Sequence, residues 1–260
     1  MDKMKDRFRI LGNQVEEQVA GLERMGGKAY GLYVLDKNGF QIPETAVIPV
    51  GTKFDSQILF QVSNFVKEIL DSDSNALFSV RSSGCMEDGH QTSFAGMYET
   101  YLNVKQEDIE EAIRKCYQSA HSNRVESYGE LMGIKKEEQK RMAIVIQKMV
   151  CADMSGVMFT SNPIDGNQSE VIIEAVNGLG EKLVSGQITP DYYCISKENG
   201  ELLEFEPGDE DGMHLEKKVY ETMRLDAKKL VMCFASEMDI EFSVENGNIV
   251  YLQARSITSI

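Results

Sequence analysis

Residues 238–257, with the sequence MDIEFSVENGNIVYLQARSI, decide the fold because they contain two runs in which polar and apolar residues alternate. Alternation with a period of two predicts β-strands, and the Asn246-Gly247 pair between the runs predicts a turn. We therefore expect a β-hairpin. Its register decides which polar side chains share a face, because a slip of one residue turns every side chain of a strand to the opposite face.

Two loop lengths are open to this hairpin, and they place its polar side chains differently. With the two-residue loop Asn246-Gly247, Glu241 faces Leu252, and Gln253 lies on the other side of the hairpin. With a three-residue loop, 246–248, Glu241 faces Gln253. A carboxylate and an amide oxygen on one face suit Mg²⁺, which prefers oxygen ligands. The second register therefore predicts Glu241 and Gln253 as metal ligands.

Hydrophobicity favours the same three-residue register. It also places Asp239 alongside Arg255, so that an acid could orient a guanidinium that is suited to phosphate. An ordinary surface hairpin with a salt bridge has the same pattern, so this motif alone does not establish a site. The apolar residues then share the opposite face: Ile240, Phe242, Val244, Val250, Leu252 and Ala254.

Composition narrows the classes of protein to which the chain could belong. Its 260 residues are 42% hydrophobic and carry a formal net charge of −15, which argues against nucleic acid and anionic membranes as partners. An anionic ligand would need a local basic cluster. The five cysteines are scattered and odd in number, which suits a reduced compartment. With no signal sequence and no apolar run long enough to span a bilayer, we expect a soluble cytoplasmic protein.

Two stretches offer candidate phosphate-binding cations. Gly26 and Gly27 precede a predicted helix, where exposed N–H groups and the charge of Lys28 would suit phosphate. Arg81 leaves a predicted strand, 76–80, beside two serine hydroxyls, which also suits phosphate. A plain turn with a surface lysine and a surface turn with an arginine are the alternative interpretations.

The loop 92–96 contains small residues around Phe94, which could cover a nucleotide or fill the core. His90, His121 and His214 are expected to be solvated or structural.

Residues 142–150 form a nearly continuous apolar run that predicts a strand, whose end could offer N–H and C=O groups to a purine. Charged residues precede it at 135–141, where we place a lobe boundary.

Other patterns complete the expected organisation of the chain. Helices are predicted at 54–70, with Asp55 as N-cap, at 107–132 and at 224–238. We expect three segments: an N-terminal extension 1–24 that contains a short helix, a first lobe 25–140 and a second lobe 141–260.

The order of the motifs is more specific than any one of them. Together they resemble the N-terminal ATP-binding domain of the family of phosphoenolpyruvate synthase, pyruvate phosphate dikinase and rifampicin phosphotransferase. The resemblance extends from about Gly26 to Thr258. In chain order the motifs begin at Gly26 (GGK), Val80 (VRSS), Ser93 (SFAG), Glu99 (ETYLNV), Gln147 (QKMV), Ser155 (SGVMFT), Gly178 (GLGE), Thr189 (TPD), Asp239 (DIE) and Gln253 (QAR).

This resemblance implies an α+β ATP-grasp fold, with ATP held between two lobes. It also implies a role for each matching residue. Lys28 and Arg81 would contact phosphates. The loop Thr92, Ser93, Phe94, Ala95 and Gly96 would close over them. Gln147, Lys148, Met149 and Val150 would bind adenine, and Glu174 is a candidate for the ribose side. Glu241 and Gln253 would hold Mg²⁺, and Arg255 would meet the terminal phosphates.

The sequence departs from the family pattern in two places. After Arg81-Ser82-Ser83 the family has Ala-Thr-Ala-Glu-Asp, whereas this chain has Gly84-Cys85-Met86-Glu87-Asp88. In addition, none of the three histidines lies in the family's carrier motif. We therefore expect the phosphoryl-carrying histidine, and the acceptor domain beyond it, on another domain or polypeptide.

Three functions follow from the sequence. The first is MgATP binding that starts phosphoryl transfer, giving AMP and phosphate, toward a carrier histidine and then pyruvate or a small-molecule antibiotic. The second is a stand-alone kinase that phosphorylates a small molecule directly. The third is an ATP-sensing module without turnover.

Overall fold

The computed structural model shows two compact units. The first consists of Met1–Asp36 and Ile42–Met149, and the second of Lys37–Gln41 and Val150–Ile260. The loop 92–96, His90 and His121 lie outside the described residues. The residues described are 7–12, 21–85, 99–120, 127, 131–135, 138, 141–180, 183, 186–209 and 212–257.

The first unit is built on a five-stranded sheet with the order β1-β2-β5-β3-β4. Strands β1 and β2 are parallel, and the other neighbours are antiparallel. The apolar run at 142–150 forms the central strand, as expected for a strand buried on both faces. The strands are β1 (Phe8–Ile10), β2 (Thr45–Ile48), β3 (Phe78–Gly84), β4 (Thr100–Val104) and β5 (Met142–Lys148).

Among its described residues, this unit has three helices: α1 (Leu22–Lys37), α2 (Ser56–Leu70) and α3 (Ile109–Ser119), the last preceded by a 3₁₀ turn at Gln106–Asp108. The side chain of Asp55 accepts the backbone N–H groups of Gln57 and Ile58, so the predicted N-cap of α2 is confirmed. Apolar residues of α2 and α3 form one core with Phe78, Val80, Ile144 and Ile146 of the sheet.

Residues 8–10 differ from the prediction of a helical extension 1–24, of which residues 1–6 and 13–20 lie outside the described part of the chain. Phe8–Ile10 is an edge strand of the first sheet, aligned with Thr45, Ala46 and Val47. Hydrogen bonds from Leu11 N to Val47 O and from Thr45 N to Arg7 O flank the strand. The charge of Arg9 fits an edge position, because an edge strand is solvated along one side.

The second unit contains a six-stranded antiparallel sheet with the order β11-β10-β6-β7-β8-β9. Helix α4 (Lys217–Phe234) contacts β7, β10 and β11, and it begins seven residues before the predicted start. Its C-cap is Ala235, whose φ of 52° is left-handed. The strands are β6 (Met154–Phe159), β7 (Glu170–Asn177), β8 (Asp191–Ser196), β9 (Leu202–Glu206), β10 (Met238–Glu245) and β11 (Asn248–Ser256).

The border between the units falls at Met149 and Val150, beyond the predicted lobe boundary at 135–141. The reason is that β5 pairs on both sides with strands of the first unit. Conversely, Lys37–Gln41 groups with the second unit. There, Tyr251 N donates to Gln41 O at 2.8 Å, and the rings of Phe40 and Tyr251 meet edge to face at 5.6 Å.

Candidate functional site

From Met238 to Glu241 the hairpin of β10 and β11 has the predicted pairing, but from Phe242 to the turn it has the pairs of the two-residue register. The predicted position of Val250 on the apolar face of Phe242 is therefore wrong, because Val250 pairs with Ser243. Glu241 lies opposite Gln253, and Asp239 lies opposite Arg255. The predicted three-residue loop is wrong, however, because Glu245 pairs with Asn248 across a two-residue turn. Both turn residues have positive φ, 51° at Asn246 and 73° at Gly247, as in a type I′ turn.

A β-bulge reconciles the short turn with the predicted pairing. The register shifts between Glu241, which faces Gln253, and Phe242, which faces Tyr251. Leu252 is therefore the extra residue of β11. A bulge adds one residue to one strand and re-aims the side chains beyond it. Here it returns Gln253 to the face of Glu241.

Asp239 and Arg255 form a tight ion pair beside these two residues. The Nε and Nη2 atoms of Arg255 lie 2.7 and 2.6 Å from Oδ2 of Asp239. The other carboxylate oxygen, Oδ1, is buried and has no hydrogen-bond partner among the described residues. Burial raises the pKa of Asp239, Arg255 opposes this shift, and Glu241 adds to it. An orphaned anionic oxygen next to Glu241 fits a face built to receive a cation.

Glu174 lies on the same face of the sheet. Residues paired directly across strands share a face, and Val157 of β6 is paired on one side with Glu241 and on the other with Glu174. Burial raises the pKa of Glu174, and the charge of Asp239 adds to this rise. The candidate for the ribose side is thus electrostatically coupled to the face that carries the candidate metal ligands.

The donor set suits Mg²⁺ bound with its substrate. Within the described part of the chain, no group of three or more His, Cys, Asp or Glu side chains could hold a metal ion. Mg²⁺ is usually held by one or two carboxylates together with substrate phosphates and water, rather than by an all-protein cage. Glu241 and Gln253 would supply such a partial set of ligands.

In the first unit, the start of the helix segment that carries Lys28 contacts the end of β3, the strand that carries Arg81. Helix α1 is broken at Gly26, where φ is 71° and ψ is 173°, and the second helical segment starts immediately before Lys28. A Cβ atom at Gly26 would collide with the backbone of Ser83. Arg81 and Ser83 are two residues apart on β3 and therefore lie on one face of the sheet. The two predicted cations thus belong to one end of this sheet.

The predicted adenine-binding residues lie at the end of β5. Gln147 is buried, and its Nε2 donates to Thr45 Oγ1 at 3.3 Å. The hydroxyl of Thr45 in turn donates to Pro43 O at 2.9 Å. The amide group of Gln147 is therefore held within the sheet by the hydroxyl of Thr45.

The backbone N–H groups of Lys148 and Met149, the two residues after Gln147, are already engaged. Lys148 N donates to Glu44 O at 2.9 Å, and Met149 N donates to Leu77 O at 2.8 Å. The ammonium group of Lys148 lies 3.0 Å from the carboxylate of Asp73. A purine bound here would have to use other groups, such as carbonyl oxygens, which could accept its amino group.

His214 is half-exposed, as predicted, and it also has a partner that the sequence did not indicate. Its Nδ1 lies 2.6 Å from Asp191 Oδ2, and Tyr193 O–H donates to the same oxygen at 3.2 Å. Gly208 N donates to Asp191 Oδ1 at 2.8 Å. Asp191 and Tyr193 alternate with Tyr192, which shares the face of Glu174. The TPD motif therefore anchors a loop behind the candidate site.

These features define the class of protein. One α+β unit carries two cations at the end of a sheet, and the other carries carboxylates, an amide and a guanidinium on one sheet face, as in an ATP-binding domain of the ATP-grasp type. Residues 48–260 match the family described as the pyruvate phosphate dikinase AMP/ATP-binding domain. The chain belongs to this family, and the predicted family and α+β class are confirmed.

Curated relatives are consistent with this family. The uncharacterized phosphotransferase YvkC of Bacillus subtilis (strain 168) is 31% identical over 97% of this chain and 35% of its own length. A probable phosphoenolpyruvate synthase of Archaeoglobus fulgidus is 37% identical over 70% of this chain and 27% of its own length. The prodigiosin synthesizing transferase PigC of Serratia marcescens is 33% identical over 71% of this chain and 23% of its own length. The chain thus spans roughly a third or less of these relatives.

Among solved structures, a D-alanine–D-alanine ligase from Coxiella burnetii matches with a TM-score of 0.46 and 9% identity, over 88% of this chain and 47% of that one. The corresponding ligase from Helicobacter pylori matches with a TM-score of 0.43 and 11% identity, over 90% of this chain and 54% of that one. Across the described residues, no helix combines the length and apolar character that a membrane span requires.

Proposed function

We propose that this domain binds MgATP and starts phosphoryl transfer from ATP, with AMP and phosphate as products. One phosphoryl group of ATP would pass to a carrier histidine on another domain or chain, and then to pyruvate or a small-molecule antibiotic. The other would be transferred to water and released as phosphate. One observation supports the proposal above all others. The register of the hairpin places Glu241 and Gln253 on one face, beside the ion pair of Asp239 and Arg255.

The second unit would handle the charge of the phosphates. Glu241 and Gln253 would hold Mg²⁺, which, when bound, neutralises charge on phosphate oxygens. Arg255, oriented by Asp239, would bind the terminal phosphates through its planar guanidinium. Phosphoryl transfer depends mainly on positioning and electrostatic stabilisation, so fixed groups of this kind are what the reaction requires.

The first unit would supply Lys28 and Arg81 to the phosphates. The loop 92–96 would cover them, residues 147–150 would bind adenine, and Glu174 would serve the ribose side. We also propose a cytoplasmic location, which all five cysteines support because they are free thiols.

Calorimetric titration with ATP, with and without Mg²⁺, tests the metal assignment. Glu241→Ala and Gln253→Ala should each weaken Mg²⁺-dependent binding by roughly tenfold or more, the loss expected for one charge-assisted contact. Glu245→Ala is a matched control, because Glu245 is an acid at the turn end of the same strand. If both site variants bind MgATP like the parent, the metal assignment is wrong.

Product analysis separates the three functions. The proposed reaction gives AMP and phosphate together with a phosphorylated carrier-histidine domain when that domain is added. A stand-alone kinase would give ADP and a phosphorylated small molecule with this chain alone. Tight MgATP binding without any product, with or without the carrier domain, would instead indicate a sensing module.

A further inference from the structure

The helix segment that carries Lys28 is held at its start by a residue from a distant part of the chain. Ala29 N donates to Ser83 Oγ at 3.1 Å in a buried hydrogen bond. The first N–H groups of a helix have no partners within the helix, and a side-chain oxygen that accepts one of them stabilises the helix start. Ser83 does this from β3, where it is 0% exposed.

Additional contacts fix the preceding turn to the same strand end. The missing side chain of Gly26 lets its backbone approach that of Ser83. Glu23 O accepts Cys85 Sγ at 3.3 Å and Arg141 Nη2 at 3.0 Å. The start of the segment is therefore attached to the end of β3 both through backbone contact and through side chains.

We propose that Ser83 is a positioning residue that fixes Lys28 relative to Arg81. The inference rests on the proposed function, in which both cations bind the phosphates of ATP. Arg81 is on β3 itself, two residues before Ser83 and on the same face, whereas Lys28 is on a helix whose start is bound to β3 through Ala29 N–H and Ser83 Oγ. Without the hydroxyl, Ala29 N–H would be buried without an acceptor, or the turn would open to water. Either change moves Lys28 while Arg81 stays in place.

Titration of Ser83→Ala with MgATP and with adenosine tests this role. The ratio of the dissociation constant for ATP to that for adenosine should rise roughly three- to tenfold, because only ATP has phosphates for Lys28 to contact. Ser82→Ala is the matched control: Ser82 is the adjacent residue, is 1% exposed and faces the opposite side of the sheet. The ratio of the two dissociation constants for Ser82→Ala should equal that of the parent. If the ratio for Ser83→Ala also equals that of the parent, the proposal is overturned.

A double-mutant cycle separates positioning from general damage. In a Lys28→Ala background, Ser83→Ala should leave the ratio unchanged, because Ser83 acts through Lys28. If the two effects multiply, Ser83 does not act through Lys28 and the inference fails. If Lys28→Ala alone leaves the ratio of the dissociation constants for ATP and adenosine unchanged, Lys28 does not contact the phosphates, and that part of the proposed function is wrong. Should Ser83→Ala not fold, Ser83→Cys keeps the volume with a weaker acceptor; a parental ratio there also refutes the inference.

Discussion

Deleting Leu252 tests whether the pairing of Glu241 with Gln253, rather than the bulge itself, makes the proposed metal-binding face. Leu252 is the extra residue of β11, so its deletion leaves every cross-strand pair of the hairpin in place and straightens the ladder. Leu252 is only partly buried, and the hydrogen bonds around it can reform in a regular ladder. We therefore expect a change of at most about 1–2 kcal/mol in the free energy of unfolding, the scale of one hydrogen bond.

Deleting Ala254, two residues further along, should have the opposite outcome. If the bulge persists, Arg255 moves opposite Ile240, which is 0% exposed, and its charge is turned into the core. If the bulge disappears, Gln253 takes that place instead. Burying an unpaired charge costs on the order of 3–5 kcal/mol, and burying an unpaired amide costs on the order of 1–3 kcal/mol.

Urea unfolding and calorimetric titration with MgATP measure both deletions. The variant without Leu252 should bind MgATP within a few-fold of the parent, since about 1 kcal/mol corresponds to roughly fivefold in affinity. The variant without Ala254 should be destabilised and should lose MgATP affinity. If deletion of Leu252 abolishes MgATP binding in a folded protein, or if both deletions behave alike, the assignment of faces is refuted.

The remaining predictions concern the cations, a buried hydroxyl and a buried thiol. Lys28→Ala and Arg81→Ala should each weaken ATP binding by about 1.5–3 kcal/mol in calorimetry and leave adenosine binding nearly unchanged; equal losses for both ligands would indicate misfolding. Tyr251→Phe removes a 2.7 Å hydrogen bond to the carboxylate of Asp226 and should lower the free energy of unfolding in urea by about 1–2 kcal/mol without affecting MgATP affinity. Burial raises the pKa of the Cys116 thiol from 9.0 to about 11. As the pH rises, this thiol therefore ionises in the unfolded chain before it ionises in the folded one. The free energy of unfolding should keep its full value below pH 9 and fall by up to about 3 kcal/mol between pH 9 and pH 11. Cys116→Ala should flatten that pH dependence, and an unchanged slope would contradict the assignment.

The sequence predicted the pairing of Glu241 with Gln253 because alternating polarity constrains the register strongly. Placing Glu241 with Gln253 also places Ile240 with Ala254, and both of these apolar residues are buried. The loop length could not be predicted in the same way. Asn and Gly both tolerate positive φ, so a two-residue turn was equally accessible, and the bulge at Leu252 has no distinct signature in the sequence.

The sequence also could not predict contacts between segments that lie far apart in the chain. The alternation at Phe8–Ile10 is too short to distinguish an edge strand from a helix, and only its pairing with β2 decides. Ser83 was visible only as a hydroxyl beside Arg81, because its acceptor role depends on a residue 54 positions away. Likewise, the partner of His214 is Asp191, in a motif 23 residues earlier.

The grouping of Lys37–Gln41 with the second unit limits how such a domain can be divided during evolution or by protein engineering. The polypeptide passes from one unit to the other three times, after Asp36, after Gln41 and after Met149. A gene fragment that starts at Val150 would encode most of the second unit but would omit Phe40 and the carbonyl of Gln41, both of which contact Tyr251. Recombination at that single border would therefore separate partners that fold together, so the two units should be inherited as one piece.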